Sequence, residues 1–171
     1  PTETKEDPHK VALGRLLFND PRLSKNNSIS CSHCHILENG GTDGLRVSFG
    51  MNGDPGEINT PTVYNSSFSF AQFWDGRAAT LEDQIDGPVH NAVEMGSDWD
   101  EILNKLSSDE KYVKLFQSAY QAPISVQSIK NAIATFERSL TTPNSRFDLY
   151  LKGNDEAITA HERQGYILFK S

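Results

Sequence analysis

Apolar residues recur at helical spacing in several separated stretches of the chain, and no stretch alternates convincingly as a half-buried strand would. Val11, Ala12, Leu13, Leu16 and Leu17 follow Pro8 and stop before Pro21, which predicts a helix over 8–18. The clearest stripe is Val126, Ile129, Ile133, Phe136 and Leu140, behind Ser125 as a cap and closed by Pro143. Asp98 and Asp109 predict helices running to about Leu106 and Tyr120. Thr80 before Leu81 and Thr159 before a segment ending near Phe169 predict two more, and Thr60-Pro61 reads as a cap followed by a first-turn proline. Between Asn39 and Asn59 the six glycines and Pro55 forbid long regular elements, so something other than packing must order that loop. With no internal repeat or low-complexity tract, the expectation is an all-α domain with long glycine-rich loops wrapped around a cofactor.

Composition narrows the class. At 171 residues, 36% hydrophobic and 23% charged, the chain has the size and make-up of one globular domain. No apolar run approaches the roughly 20 residues of a spanning helix, so membrane insertion is not expected. A formal net charge of -7 argues against a nucleic-acid surface and favours a basic protein partner.

The two cysteines, Cys31 and Cys34, are too few and too close for a disulfide framework. The pair fits a redox dithiol, half a zinc site or haem attachment, and His35 decides between them. In Cys31-Ser32-His33-Cys34-His35, two thiols on a short helical turn can form thioethers to one haem while the adjacent imidazole faces its iron. No second cysteine pair could complete a zinc site, and no βαβ pattern surrounds this one. His33 reads as a solvent-facing spacer. For the sixth position the candidates are His9, Met51, His90, Met95 and His161. Met51, in Phe49-Gly50-Met51-Asn52-Gly53, is favoured by its glycine-flanked loop, with core filler as the competing reading.

Beyond this motif the chain resembles a known family, the bacterial dihaem cytochrome c peroxidases and relatives such as the tryptophan tryptophylquinone-maturing dihaem enzyme. The matching stretches are Leu13-Gly14-Arg15-Leu16-Leu17-Phe18, Leu23-Ser24, the haem motif, Asn59-Thr60-Pro61-Thr62-Val63, Phe73-Trp74-Asp75-Gly76-Arg77-Ala78, Gly87-Pro88 and Val93-Glu94-Met95-Gly96. The resemblance is to the N-terminal, peroxide-reducing domain, giving the expectation of a cytochrome c-like haem domain over 1–171 with the second haem domain outside this chain. It implies His35 as proximal ligand, Trp74 between two haems, Glu94 and Gln84 beside the peroxide and Asn59 as a calcium ligand; the donor fork of Arg77 suits a haem propionate. Without the resemblance, the favoured readings are Trp74 as a core aromatic, Glu94 as a solvated acid, Gln84 as a helix-surface amide and Asn59 as a turn residue, and Arg77 reads equally as half of a salt bridge.

One position departs from the family pattern. Sixteen residues after the proximal ligand the typical peroxidase has a histidine, and here Met51 stands. A thioether ligand favours ferrous iron and suits electron transfer better than peroxide activation. Two functions are therefore expected to compete. The first is a periplasmic cytochrome c peroxidase reducing hydrogen peroxide with electrons from a small cytochrome c or cupredoxin through a second haem domain or chain. The second is a non-catalytic electron-transfer cytochrome with a His35/Met51 haem. Covalent haem attachment takes place outside the cytoplasm, so an export leader is expected to have preceded the polar start Pro1-Thr2-Glu3-Thr4. The expected cofactors are one covalent haem c and a calcium ion; a homodimer is compatible with the resemblance.

Overall fold

The computed structural model describes residues 5–171, which fall into two compact units, 5–140 and 141–171. The larger unit contains helices α1 (Pro8–Phe18), α2 (Cys31–Cys34), α3 (Leu81–Gln84), α4 (Asp86–His90), α5 (Trp99–Ser107), α6 (Glu110–Tyr120) and α7 (Val126–Ser139). The smaller contains α8 (Arg146–Leu151) and α9 (Ala160–Lys170). Among the described residues the only β-type pairings are isolated bridges between Phe49 and Pro55 and between Gln72 and Ala78, so the fold is all-α. No described helix is long and apolar enough to cross a membrane.

The core of the larger unit is the contact of α1 with α7. The Asp7 side chain accepts the His9 N–H at 2.8 Å and starts α1, with Pro8 in its first turn. The helix then buries Leu13, Leu17 and Phe18, and α7 buries Ile129, Ile133 and Phe136. Phe18 and Phe136 meet edge on with ring centroids 5.2 Å apart. Each such side chain contributes about 1.5–3 kcal/mol of burial. Gly14 lets the two backbones approach: a Cβ there would land on the Ala132 carbonyl oxygen. Ser125 and Ser128 form a capping box that fixes where α7 begins.

Asp98 and Asp109 cap α5 and α6 as expected, each accepting a backbone N–H at 2.8 Å, from Glu101 and Lys111 respectively. Asp109 also pairs with Arg22 at 3.0 Å, and Arg22 pairs with buried Asp20 at 2.7 Å. The Tyr112 hydroxyl donates to the same Asp20 carboxylate at 2.7 Å, tying the Pro21–Leu23 turn to α6.

Thr60-Pro61 corrects the sequence reading, because no helix begins there. The segment is stretched across the 40–42 loop: Thr42 Oγ1 donates to the Thr60 carbonyl at 2.8 Å, and Thr62 Oγ1 to the Gly40 carbonyl at 2.6 Å. Those long-range bonds outcompete the local turn. The short helices α4 and α8 were not legible, being about one turn each; α8 rests on a Ser145/Asp148 capping box. Within the smaller unit, Phe147, Tyr150 and Tyr166 pack ring on ring, and Arg146 pairs with Glu162 at 2.7 Å.

Candidate haem-binding site

The turn of α2 arranges the motif. The His33 N–H donates to the Ser30 carbonyl at 3.0 Å and the His35 N–H to the Cys31 carbonyl at 2.9 Å, so Cys31 and Cys34 stand one turn apart with His35 at the helix end. All three line a single cleft, while His33 is exposed. His35 Nδ1 lies 3.3 Å from the Gly41 carbonyl oxygen. A carbonyl only accepts, so Nδ1 carries the proton in that bond and the Nε2 lone pair is left for a metal. Burial pulls the His35 pKa below the usual range, which favours the neutral, ligating imidazole.

The thiols form no disulfide, and burial favours their neutral form. Burial, with the negative charge of Glu137 adding to it, pushes Cys31 up to about 12; burial first, then Asp43, raises Cys34. A dithiol redox pair works through a thiolate, so the direction counts against that reading. Among the described residues no group of three or more His, Cys, Asp or Glu could hold a metal ion. The cleft's envelope is about 1380 Å³, its open mouth included. Its walls are largely apolar, with Leu23, Ile29, Val63, Leu81, Ile85, Val89 and Ile133 facing in. Two thiols and an imidazole at the foot of a large apolar cleft fit a covalently attached macrocycle.

Glu94 and Gln84 line the same cleft as the motif. Glu94 Oε1 accepts the Asn91 amide at 2.7 Å, and Asn91 Oδ1 in turn accepts the Val93 N–H at 3.0 Å. The loop carrying Glu94 is stitched down by the Met51 N–H donating to the Glu94 carbonyl and the Lys25 N–H to the Met95 carbonyl, both at 2.9 Å. Gln84 closes α3, whose start is capped by Thr80.

Asn59, Trp74 and Arg77 line the same cleft, whereas Met51 does not. Met51 is absent from the lining of the cleft: its thioether packs on Gly96, where an added Cβ would come within 2.5 Å of Cε and 3.3 Å of Sδ. Gly96 takes a left-handed φ of +56°, which favours glycine there independently. Trp74 is 65% exposed, with Nε1 donating to the Asn59 carbonyl at 3.2 Å. The Asn59 carbonyl accepts that bond, and its side-chain amide is not part of it. Arg77 pairs with Asp75 at 2.9 Å and stacks 3.5 Å above the Phe73 ring centroid.

Two residues were missed. Asn91 reads only as a loop residue until its bond to Glu94 is seen. Glu137 lines the cleft and is buried, and its signal was available: it follows Ile133 by four positions, on the apolar face of α7.

The profile of the di-haem cytochrome c peroxidase family matches residues 8–156. The chain is 50% identical, over 99% of its length, to cytochrome c peroxidase Ccp of Escherichia coli K12, covering 37% of that protein. It is 44% identical over 98% of its length to cytochrome c551 peroxidase of Nitrosomonas europaea, covering 50% of it. A crystal structure of a MauG-like protein associated with microbial copper homeostasis superposes with a TM-score of 0.88 at 34% identity, over all of this chain and 52% of that one. The chain therefore spans about half the length, or less, of the relatives it matches.

Proposed function

The chain belongs to the di-haem cytochrome c peroxidase family, and from that premise we propose that it is the half of a periplasmic peroxidase in which hydrogen peroxide is reduced to water. The observation that carries this reading is the placement of Glu94 and Gln84 in the same cleft as Cys31, Cys34 and His35. Cys31 and Cys34 would hold one haem c through thioethers, and His35 Nε2 its iron. The haem supplies iron that binds peroxide and delivers electrons to it.

This chain's residues manage the protons. Asn91 engages Oε1 of Glu94 and leaves Oε2 to take a proton from the inner peroxide oxygen and return it to the outer one. Gln84 offers an amide to orient the peroxide. Overall, H2O2, two protons and two electrons give two waters. The electrons come from a small redox protein, a cytochrome c or cupredoxin, by way of a second haem domain or chain, toward which the exposed Trp74 indole is the packed route. Location outside the cytoplasm follows from covalent haem attachment.

The electron-carrier reading requires Met51 to leave Gly96 and enter the cleft. Its thioether position favours the peroxidase reading instead. The test joins this chain to its second haem domain and follows peroxide-dependent oxidation of a reduced donor, with and without pre-reduction. Turnover is expected, and Glu94→Gln is expected to slow it by about 10²–10⁴-fold with haem content unchanged. No turnover, together with the far-red charge-transfer band of Met-ligated ferric haem, would establish the carrier.

A further inference from the structure

A second carboxyl stands in the cleft, and nothing in the peroxide chemistry uses it. Glu137 lies on α7 in the wall shared with Cys31, Ile133 and Ser66. It is 6% exposed, and its Oε2 is buried with no hydrogen-bond partner among the described residues. A carboxylate left so is strongly disfavoured, whereas a carboxylic acid is tolerated. Burial first, then the like charge of Glu82, pushes Glu137 up to about 8, against the pull of Arg138.

The charged and titratable groups around it are few. On α7, Arg138 bonds Glu82 Oε1 and Thr135 Oγ1, each at 3.0 Å, and lies 3.6 Å from Glu6. From α3 comes Glu82, already bonded by Arg138 and by the Asn131 amide at 3.2 Å. From α2 comes the Cys31 sulfur, which ceases to titrate once it is a thioether. The turn at Ser66–Phe68, packed on α7, brings the buried and unpartnered hydroxyls of Ser66 and Ser67. The α1 contact is apolar, through Gly14 and Phe18.

We propose that Glu137 is the redox-linked proton site of this domain: it takes one proton from solvent when the haem held by Cys31, Cys34 and His35 gains one electron, and releases it on reoxidation. The electron comes from a one-electron reductant, the donor protein or an electrode mediator. The carboxylate becomes a carboxylic acid, and no other bond of the chain changes. The cause is electrostatic. An added electron removes one positive charge near a carboxyl that has no cation of its own on Oε2, so the protonated form gains. Linkage makes the effect reciprocal, and protonation of Glu137 favours the reduced state. The inference rests on haem attachment alone and stands whether or not the domain reduces peroxide.

The test is the haem midpoint potential of the holoprotein, measured by spectroelectrochemistry from mildly acid to alkaline pH. The wild type is expected to fall with rising pH, approaching one proton per electron, or about 59 mV for each tenfold change in proton activity. Glu137→Gln is expected to flatten the curve over that range, while Glu110→Gln, an exposed carboxylate on α6 outside the cleft, keeps the slope. A flat wild-type curve, or an unchanged slope in Glu137→Gln, overturns the proposal. Should Glu137→Gln fail to take up haem, the reduced-minus-oxidised infrared difference spectrum of the wild type decides. A carboxylic acid C=O band that grows on reduction and shifts in D2O supports the assignment, and its absence overturns it.

Discussion

Glu94 is held by a side chain that lies outside the lining of the cleft. Asn91 holds its own loop by accepting the Val93 N–H through Oδ1, so its amide has one remaining direction, toward Glu94 Oε1. Asn91→Ala removes that restraint and leaves Glu94 free to rotate into solvent, since the carboxylate is exposed. The expected outcome is a peroxide turnover reduced about 10-fold, less than for Glu94→Gln, since one neutral-to-charged hydrogen bond is worth about 1.5–3 kcal/mol and part of it is recovered from water. Rapid-mixing kinetics of the domain joined to its second haem partner checks it. At this scale the motif residues were legible because their spacing is the chemistry: Cys31, Cys34 and His35 converge through a single helical turn. Met51, for which ligand and core filler compete, rests its thioether against Gly96, a left-handed residue 45 positions away that no local pattern reveals. Asn91 escaped for a related reason: an asparagine in a turn carries the same local signature whether or not it grips a carboxylate.

At the scale of elements, the pairing of α1 with α7 carries the core and depends on a residue without a side chain. Gly14→Ala would place a methyl on the Ala132 carbonyl and drive the helices apart, at about 1–3 kcal/mol, offset slightly by the better helix propensity of alanine. Chemical denaturation of the holoprotein measures it; an unchanged midpoint would mean that the helices cross elsewhere. The Asp20 network makes a pH-dependent contribution. Burial raises the Asp20 pKa, but the hydrogen bonds from Arg22 and Tyr112 outweigh it and leave the carboxyl below its ordinary 3.8. A depressed carboxylate stabilises the fold above its unfolded pKa and loses that contribution as pH falls through the folded value. Tyr112→Phe is therefore expected to cost about 1–2 kcal/mol near neutrality and less in strong acid, where the wild type has already lost the interaction. Helices with a capping side chain and an apolar stripe were legible from the sequence, α7 and the pair α5 and α6 above all. The stretch at Thr60-Pro61 was not, because what straightens it are bonds to residues about twenty positions earlier.

At the scale of the whole molecule, the chain presents a net charge of -7, while the haem cleft opens beside an exposed indole. The two together bear on how electrons arrive. A basic donor protein is drawn toward an acidic surface over a distance set by the Debye length, roughly 30 Å at 0.01 M salt and 8 Å at 0.15 M. Raising the salt between those values should lower the second-order rate of reduction by a basic cytochrome by about 10-fold or more, because the steering acts on the encounter. An acidic donor should show the opposite slope, since screening then removes a repulsion. Stopped-flow reduction of the full-length protein by the two donors, followed at the haem band over a salt series, separates the cases. Parallel slopes for both donors would mean that a local patch, rather than the overall charge, governs docking. Trp74→Phe is expected to leave the salt dependence intact and lower the rate extrapolated to high donor concentration, because it alters the route at the rim without altering the charge that brings the donor there.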